Sequence, residues 1–355
     1  MRDAFRNIIS RLCGRGDANR AFGVSRGLAC ASLGFSTFLF LWNVRLMAAL
    51  AIDDSFITYR FAWRLAHQGT LRWNMLEAPV EGYTSFFSVL ISALMEWARL
   101  DPLLGWKILG VILVLGGAGA CVWGARALCV AFLPNGIRLG LPLYLAAAWL
   151  FNPLHAIHAM SGMETALFGF LLILLSALVV KIMCAGRLEE GASIGKPHYI
   201  ALALGFLILG MTRPESLLWS ALVSLALLVG LSSVGRRRLA VSLFFFLVLP
   251  GLVYFVARWA YFGSPLPSTF HAKAGGDLSP LGRLHTWFPS HRDVLLYLWN
   301  YWAGFFLMGL LAAISLPNGM RNRFMWATPA LASLLCVVFF AHIHMLMGYA
   351  WRFLF

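Results

Sequence analysis

Residues 84–99 read TSFFSVLISALMEWAR, and whether this stretch crosses a bilayer or lies along its surface decides the topology of everything after it. Crossing the hydrocarbon takes about 20 apolar residues. This stretch is shorter than that and ends in Glu96, Trp97 and Arg99. Around it lie long apolar runs at 27–51, 104–125, 139–159, 165–184, 198–212, 216–233, 239–261, 294–316 and 325–346, which predict about nine transmembrane helices. With 84–99 flat at the outer interface, the basic groups Arg126 with Arg138, Lys181 with Arg187 and Lys196, Arg236 to Arg238, and Arg321 with Arg323 all fall on the cytoplasmic side, as the positive-inside rule asks. If the stretch spans, those later assignments invert and the rule is broken repeatedly. The flat reading therefore holds, and 84–99 is expected as an interfacial helix.

The composition agrees with a membrane chain. Of 355 residues, 61% are hydrophobic and 12% charged, and the mean hydropathy is +0.79, more apolar surface than one soluble core buries. The fold class expected is an all-α polytopic membrane protein. A formal net charge of +14 raises nucleic acid as a partner, but the Lys and Arg residues sit in short clusters between apolar runs, not along one face. The chain thus divides into a basic cytoplasmic tail, 1–26, carrying Arg2, Arg6, Arg11, Arg15, Arg20 and Arg26, and a membrane domain, 27–355. The segment 27–51 reads as a retained anchor, longer than a signal-peptide core. None of the six cysteines, Cys13, Cys30, Cys121, Cys129, Cys184 and Cys336, falls in a segment that the topology sends to the outer side, so no disulfide framework is implied.

This topology sends 52–103, the link SGMET at 161–165, the break TRPES at 212–216, the segment 262–293 and the end MGYAWRFLF to the outer side. The polar residues of interest cluster there. Asp53 and Asp54 follow the first apolar run directly, ahead of SFITYRFAWRLAHQG (55–69), an amphipathic helix with Arg60 on it that should stop at Gly69. The two acids either cap that helix or form a reactive pair, one carboxylate acting as general base and the other holding a divalent cation, Mg²⁺ or Ca²⁺, against a phosphate. Glu77 and Glu81, in EAPVEGYTS (77–85), belong either to a solvated loop or to a substrate contact. Glu164 stands where the helix after SGMET begins, and His155 and His158 precede it. The histidine pair reads as packing, not as a zinc site. In LGMTRPESLLW (209–219) Arg213 and Glu215 sit amid apolar residues with Pro214 breaking the helix, either as a structural pair or as the mark of a pocket, since charges at that depth are costly. His271 and Lys273 lie in FGSPLPSTFHAKAGG (262–276), and Arg352 lies in the last segment after His342 and His344. Lys273 is read as a phosphate contact or as a snorkelling lysine.

Taken in order, DDSFITYRFAWRLAHQGTLRWN, VEGYTS, SGMETALF, TRPESLL, YFGSPLPSTFHAKAG and GYAWRFL resemble the GT-C superfamily of polyprenyl-phosphate-sugar-dependent glycosyltransferases, most of all the bacterial branch that includes the mycobacterial terminal arabinofuranosyltransferase. The resemblance runs from about residue 30 to the end, although each motif alone is weak. It implies a bacterial plasma-membrane enzyme with the N-terminus cytoplasmic and the catalytic acids facing the periplasm or exterior. It implies inverting transfer of a sugar from a polyprenyl-phosphate donor to a cell-envelope glycan, lipid or protein. Asp53 is then the favoured base and Asp54 the second acid, positioning the acceptor or a cation. Arg60, Glu81, Glu164, Arg213, Glu215, His271, Lys273 and Arg352 become substrate-binding candidates, with Arg213, Lys273 and Arg352 neutralising the lipid phosphate. Two other readings of the same residues are a transporter or flippase for a lipid-linked sugar and a truncated, inactive homologue that still binds polyprenyl phosphate.

Overall fold

A computed structural model of the chain describes residues 17–132, 140–188, 195–214 and 216–265. Every regular element among the described residues is helical. The helices are α1 (Asp17–Leu46), α2 (Asp54–Gln68), α3 (Phe86–Trp97), α4 (Pro102–Phe132), α5 (Gly140–Phe151), α6 (Leu154–Met160), α7 (Thr165–Leu188), α8 (Lys196–Thr212), α9 (Ser216–Gly230), α10 (Ser233–Leu243) and α11 (Leu249–Phe262), the last two joined by a π-helical turn at Phe244–Val248.

Four stretches are long and apolar enough to cross a membrane: Gly27–Leu46, Pro102–Val130, Thr165–Ala185 and Ser233–Phe262. They coincide with four of the runs picked out in the sequence. The first helix begins at Asp17 and ends at Leu46, whereas the hydropathy run placed it at 27–51; a turn follows, in which the Ala48 carbonyl accepts from Lys107 Nζ at 2.8 Å. The runs 198–212 and 216–233 are the shorter helices α8 and α9. The run 139–159 is two helices, α5 and α6, because Pro153 has no N–H to continue the ladder and disfavours helical geometry in the residue before it. Asn152 uses the break, its Oδ1 accepting from Leu154 N at 3.1 Å. The runs 294–316 and 325–346 lie outside the described residues. At 12 residues, α3 is about 18 Å long, well short of the ~30 Å hydrocarbon core.

The chain forms two compact units, one from Met1–Thr70 with Ser85–Thr212 and the other from Leu71–Thr84 with Arg213–Phe355. In the first unit α4 is the central helix, packed against α5, α6 and α7, while α1 packs on α5 and α6, and α3 on α2 and α8. Phe40, Val114, Ala118, Ala146, Leu150, Ala156, Ala159, Met160 and Ala166 make the buried cluster. Small residues let the backbones approach: a Cβ on Gly110 would sit 2.5 Å from the Ala159 carbonyl oxygen, so α4 and α6 meet there almost backbone to backbone. Trp149 spans the next gap by donating from Nε1 to Val114 O at 2.8 Å.

In the second unit, α10, the π-helical turn and α11 run on as one apolar stretch, Ser233–Phe262. Ser232 caps its start by accepting from Gly235 N at 3.4 Å. The wide turn has a cause in Pro250, which would otherwise meet a helical carbonyl behind it. Bonds such as Leu249 N–H to Phe244 O open the ladder by one residue and accommodate the ring. Gly263, at φ 71, ends α11 in the left-handed conformation with its N–H on Trp259 O.

Candidate active site

The acidic pair stands where the sequence put it. Asp53 is exposed and Asp54 half-buried at the first turn of α2. Asp53 Oδ1 accepts from the Asp54 N–H at 3.0 Å, so it caps the helix, and Gly69 at φ 66 closes the other end with its N–H on Arg64 O and Leu65 O. Capping leaves the Asp53 carboxylate at the surface. One face of α2 is exposed at Asp53, Phe56, Arg60, Trp63 and His67, the three- and four-residue spacing of one side of a helix. On it Trp63 stacks on His67 with centroids 4.9 Å apart, and the Arg64 guanidinium lies over the Trp63 ring.

The opposite face is docked on the SGMET link. Ile52 N donates to Ser161 O at 3.1 Å, and the buried Tyr59 hydroxyl donates to Gly162 O at 2.5 Å. Burial pushes the Tyr59 phenol well above its ordinary pKa, with the charges of Asp101 and Glu164 adding to the rise, so the hydroxyl stays a donor. Gly162 has φ +77, and a Cβ there would meet Leu103 Cδ1 at 2.7 Å and Tyr59 Oη at 2.9 Å; only glycine fits the turn. Ser161 Oγ donates to His158 O and accepts from Met163 N. Glu164 follows, 4% exposed, its carbonyl receiving Phe168 N–H as α7 begins. Two motifs 103 residues apart thus share one corner: Asp53 exposed and Asp54 half-buried, with Ser55, Tyr59, His158, Ser161, Glu164 and Thr165 buried.

His155 packs on Trp149 with ring centroids 4.0 Å apart. Among the described residues no group of three or more His, Cys, Asp or Glu is placed to share a metal ion. A divalent cation at Asp54 would take most of its ligands from phosphate oxygens and water.

In the second unit Glu81 is not part of a solvated loop. It is 5% exposed, and both its carboxylate oxygens accept from Arg258 Nε, at 3.0 and 2.7 Å, with Arg258 Nη2 2.6 Å from Oε2. Arg258 Nη1 donates to Pro265 O at 2.9 Å. The sequence reading passed over Arg258, whose signal was available: it is the only charged residue between Leu239 and Phe262. Tyr83 lies edge-on to Phe262, and burial raises its phenol pKa too. Arg213 is 5% exposed, at the break between α8 and α9, where Ser216 Oγ donates to Arg213 O at 2.6 Å. Glu215, His271, Lys273 and Arg352 lie outside the described residues. No family model matches the chain, and neither does any curated protein or solved structure.

Proposed function

We propose that the chain is a membrane glycosyltransferase of the GT-C kind, transferring a sugar with inversion from a polyprenyl-phosphate donor to a cell-envelope acceptor on the outer face of a bacterial plasma membrane. The observation that carries this reading is the corner formed by α2 and the SGMET link. An exposed and a half-buried carboxylate stand a short turn beyond a membrane-length helix, at the start of an amphipathic helix fixed from behind by Tyr59 and Gly162. A lipid-bound donor and a water-soluble acceptor meet only at such a boundary.

In this mechanism Asp53 takes the proton of the acceptor hydroxyl as that oxygen bonds to the anomeric carbon, and the carbon–oxygen bond to the lipid phosphate breaks. Phosphate is a competent leaving group without prior protonation, so the developing need is for positive charge around it. Arg60, exposed on α2, and Arg213, Lys273 and Arg352 fill that role in the proposal. Asp54 positions the acceptor or, with phosphate oxygens, a divalent cation. Glu164, Glu215 and His271 contact sugar or acceptor, and Glu81 acts through Arg258, which holds it. Nine transmembrane helices with a cytoplasmic N-terminus belong to the same proposal. Transfer of labelled sugar from polyprenyl-phosphate donors in membranes carrying wild type or Asp53→Asn tests it: the reading requires transfer in wild type and its loss in the variant.

A further inference from the structure

The segment Leu71–Thr84 is fastened at both ends to the last turns of α11. At one end Leu71 N–H donates to the Tyr261 hydroxyl at 3.1 Å; at the other, Glu81 is gripped by Arg258 and Tyr83 lies against Phe262. Between these anchors the chain turns back on itself, with Asn74 Nδ2 donating to Glu77 Oε1 at 2.9 Å. The tip it presents is apolar and exposed: Leu76 is 101%, Val80 50% and Met75 45% exposed. Such a cluster on a loop held by a buried ion pair costs solubility unless it meets an apolar phase.

The anchors say which phase. They belong to the end of a 30-residue stretch long and apolar enough to cross a membrane, and Trp259 and Tyr261 are 48% and 40% exposed there, the aromatic residues that mark the level of the headgroups. We propose that Met75–Val80 is a membrane-interface finger: a tip that rests its apolar side chains in the headgroup region of the bilayer, held at that depth by the Arg258–Glu81 clasp. Glu77 is exposed within the tip, which limits the depth to the headgroup zone. The half-buried Arg72, whose Nη1 lies 3.5 Å from Met75 O, adds a cation beside the tip that suits lipid phosphate. This inference does not rest on sugar transfer.

The test is a nitroxide attached at Leu76→Cys, and separately at Val80→Cys, in a full-length chain whose six native cysteines are replaced, reconstituted in nanodiscs of phosphatidylethanolamine and phosphatidylglycerol. The finger predicts collision rates with oxygen several-fold higher, relative to a water-soluble nickel chelate, than those of the free label in buffer. It also predicts that adding Glu81→Gln returns the label toward aqueous values. Aqueous values at both positions with Glu81 intact would overturn the proposal. So would protection from both reagents, which would mean that protein covers the tip. No activity enters the readout, so failure of the finger and failure of the transferase reading are separate results.

Discussion

Truncating Glu81 to alanine leaves the Arg258 guanidinium with no carboxylate in a site where the two side chains are 7% and 5% exposed. Arg258 then loses both Nε bonds, at 3.0 and 2.7 Å, and the ion contact at Nη2, keeping among the described residues its bond to Pro265 O. Removing one partner of a buried pair costs about 3–5 kcal/mol, because the remaining charge stays desolvated. Replacing both by apolar side chains of similar volume is often neutral. The double variant Glu81→Leu, Arg258→Met is therefore expected within about 1.5 kcal/mol of wild type, a margin that allows for imperfect packing of volume-matched apolar side chains. Unfolding in mixed detergent micelles, followed by circular dichroism against the mole fraction of sodium dodecyl sulfate, measures all of these variants on one scale. If Glu81→Ala and the double variant lose the same stability, the loss is one of packing and the unpaired-charge argument fails. If Glu81→Ala loses less than ~1 kcal/mol, the pair behaves as the solvated ion pairs of a surface do.

The remaining expectations concern the first unit. Gly162→Ala forces a Cβ into contact with Leu103 and Tyr59 at a positive φ; with about 1–2 kcal/mol for the left-handed conformation alone, it should destabilise the unit and raise hydrogen exchange in α2. Tyr59→Phe leaves the buried Gly162 carbonyl without its donor, a loss of about 1–3 kcal/mol by the same detergent titration, and sugar transfer should fall with the acids themselves untouched. Gly110→Ala pushes a Cβ to 2.5 Å from Ala159 O, against backbone that cannot rotate away; the overpacking should cost about 1–3 kcal/mol, and an unchanged unfolding curve would contradict the close approach of α4 and α6.

The helical class and the four membrane-length helices were legible in the sequence because each is a long run of apolar residues, though the same signal also marked 139–159, 198–212 and 216–233, which fold as shorter helices. Helix ends were legible where the chemistry is local: Gly69 stops α2 and Pro214 separates α8 from α9, as the sequence suggested. The break at Asn152 and Pro153 was equally local, but the apolar run around it hid it. Hydropathy also overran the end of α1, since Met47 to Ala51 are as apolar as the helix before them. The site divides the same way. Asp53 and Asp54 stood out as acids after an apolar run, and Asp53 both caps the helix and stays exposed. What the sequence did not show is partnership over distance: Glu81 with Arg258, 177 positions away, and Tyr59 with Gly162. No local pattern carries such a pairing. Arg258 looked like one more position of a membrane helix, and Glu81 like a loop residue, until the fold brought them together.

The central claim is that Asp53 is the base of an outer-face sugar transfer, and the most direct measurement is transfer of radiolabelled sugar from defined polyprenyl-phosphate donors by purified protein in proteoliposomes. Wild type, Asp53→Asn and Asp54→Asn are compared at matched protein levels, with donor binding measured alongside. The account predicts transfer by wild type, a loss of at least about 100-fold in Asp53→Asn, the scale of general-base catalysis, and donor binding retained in that variant. Binding without transfer by wild type, or undiminished transfer in Asp53→Asn, would contradict it.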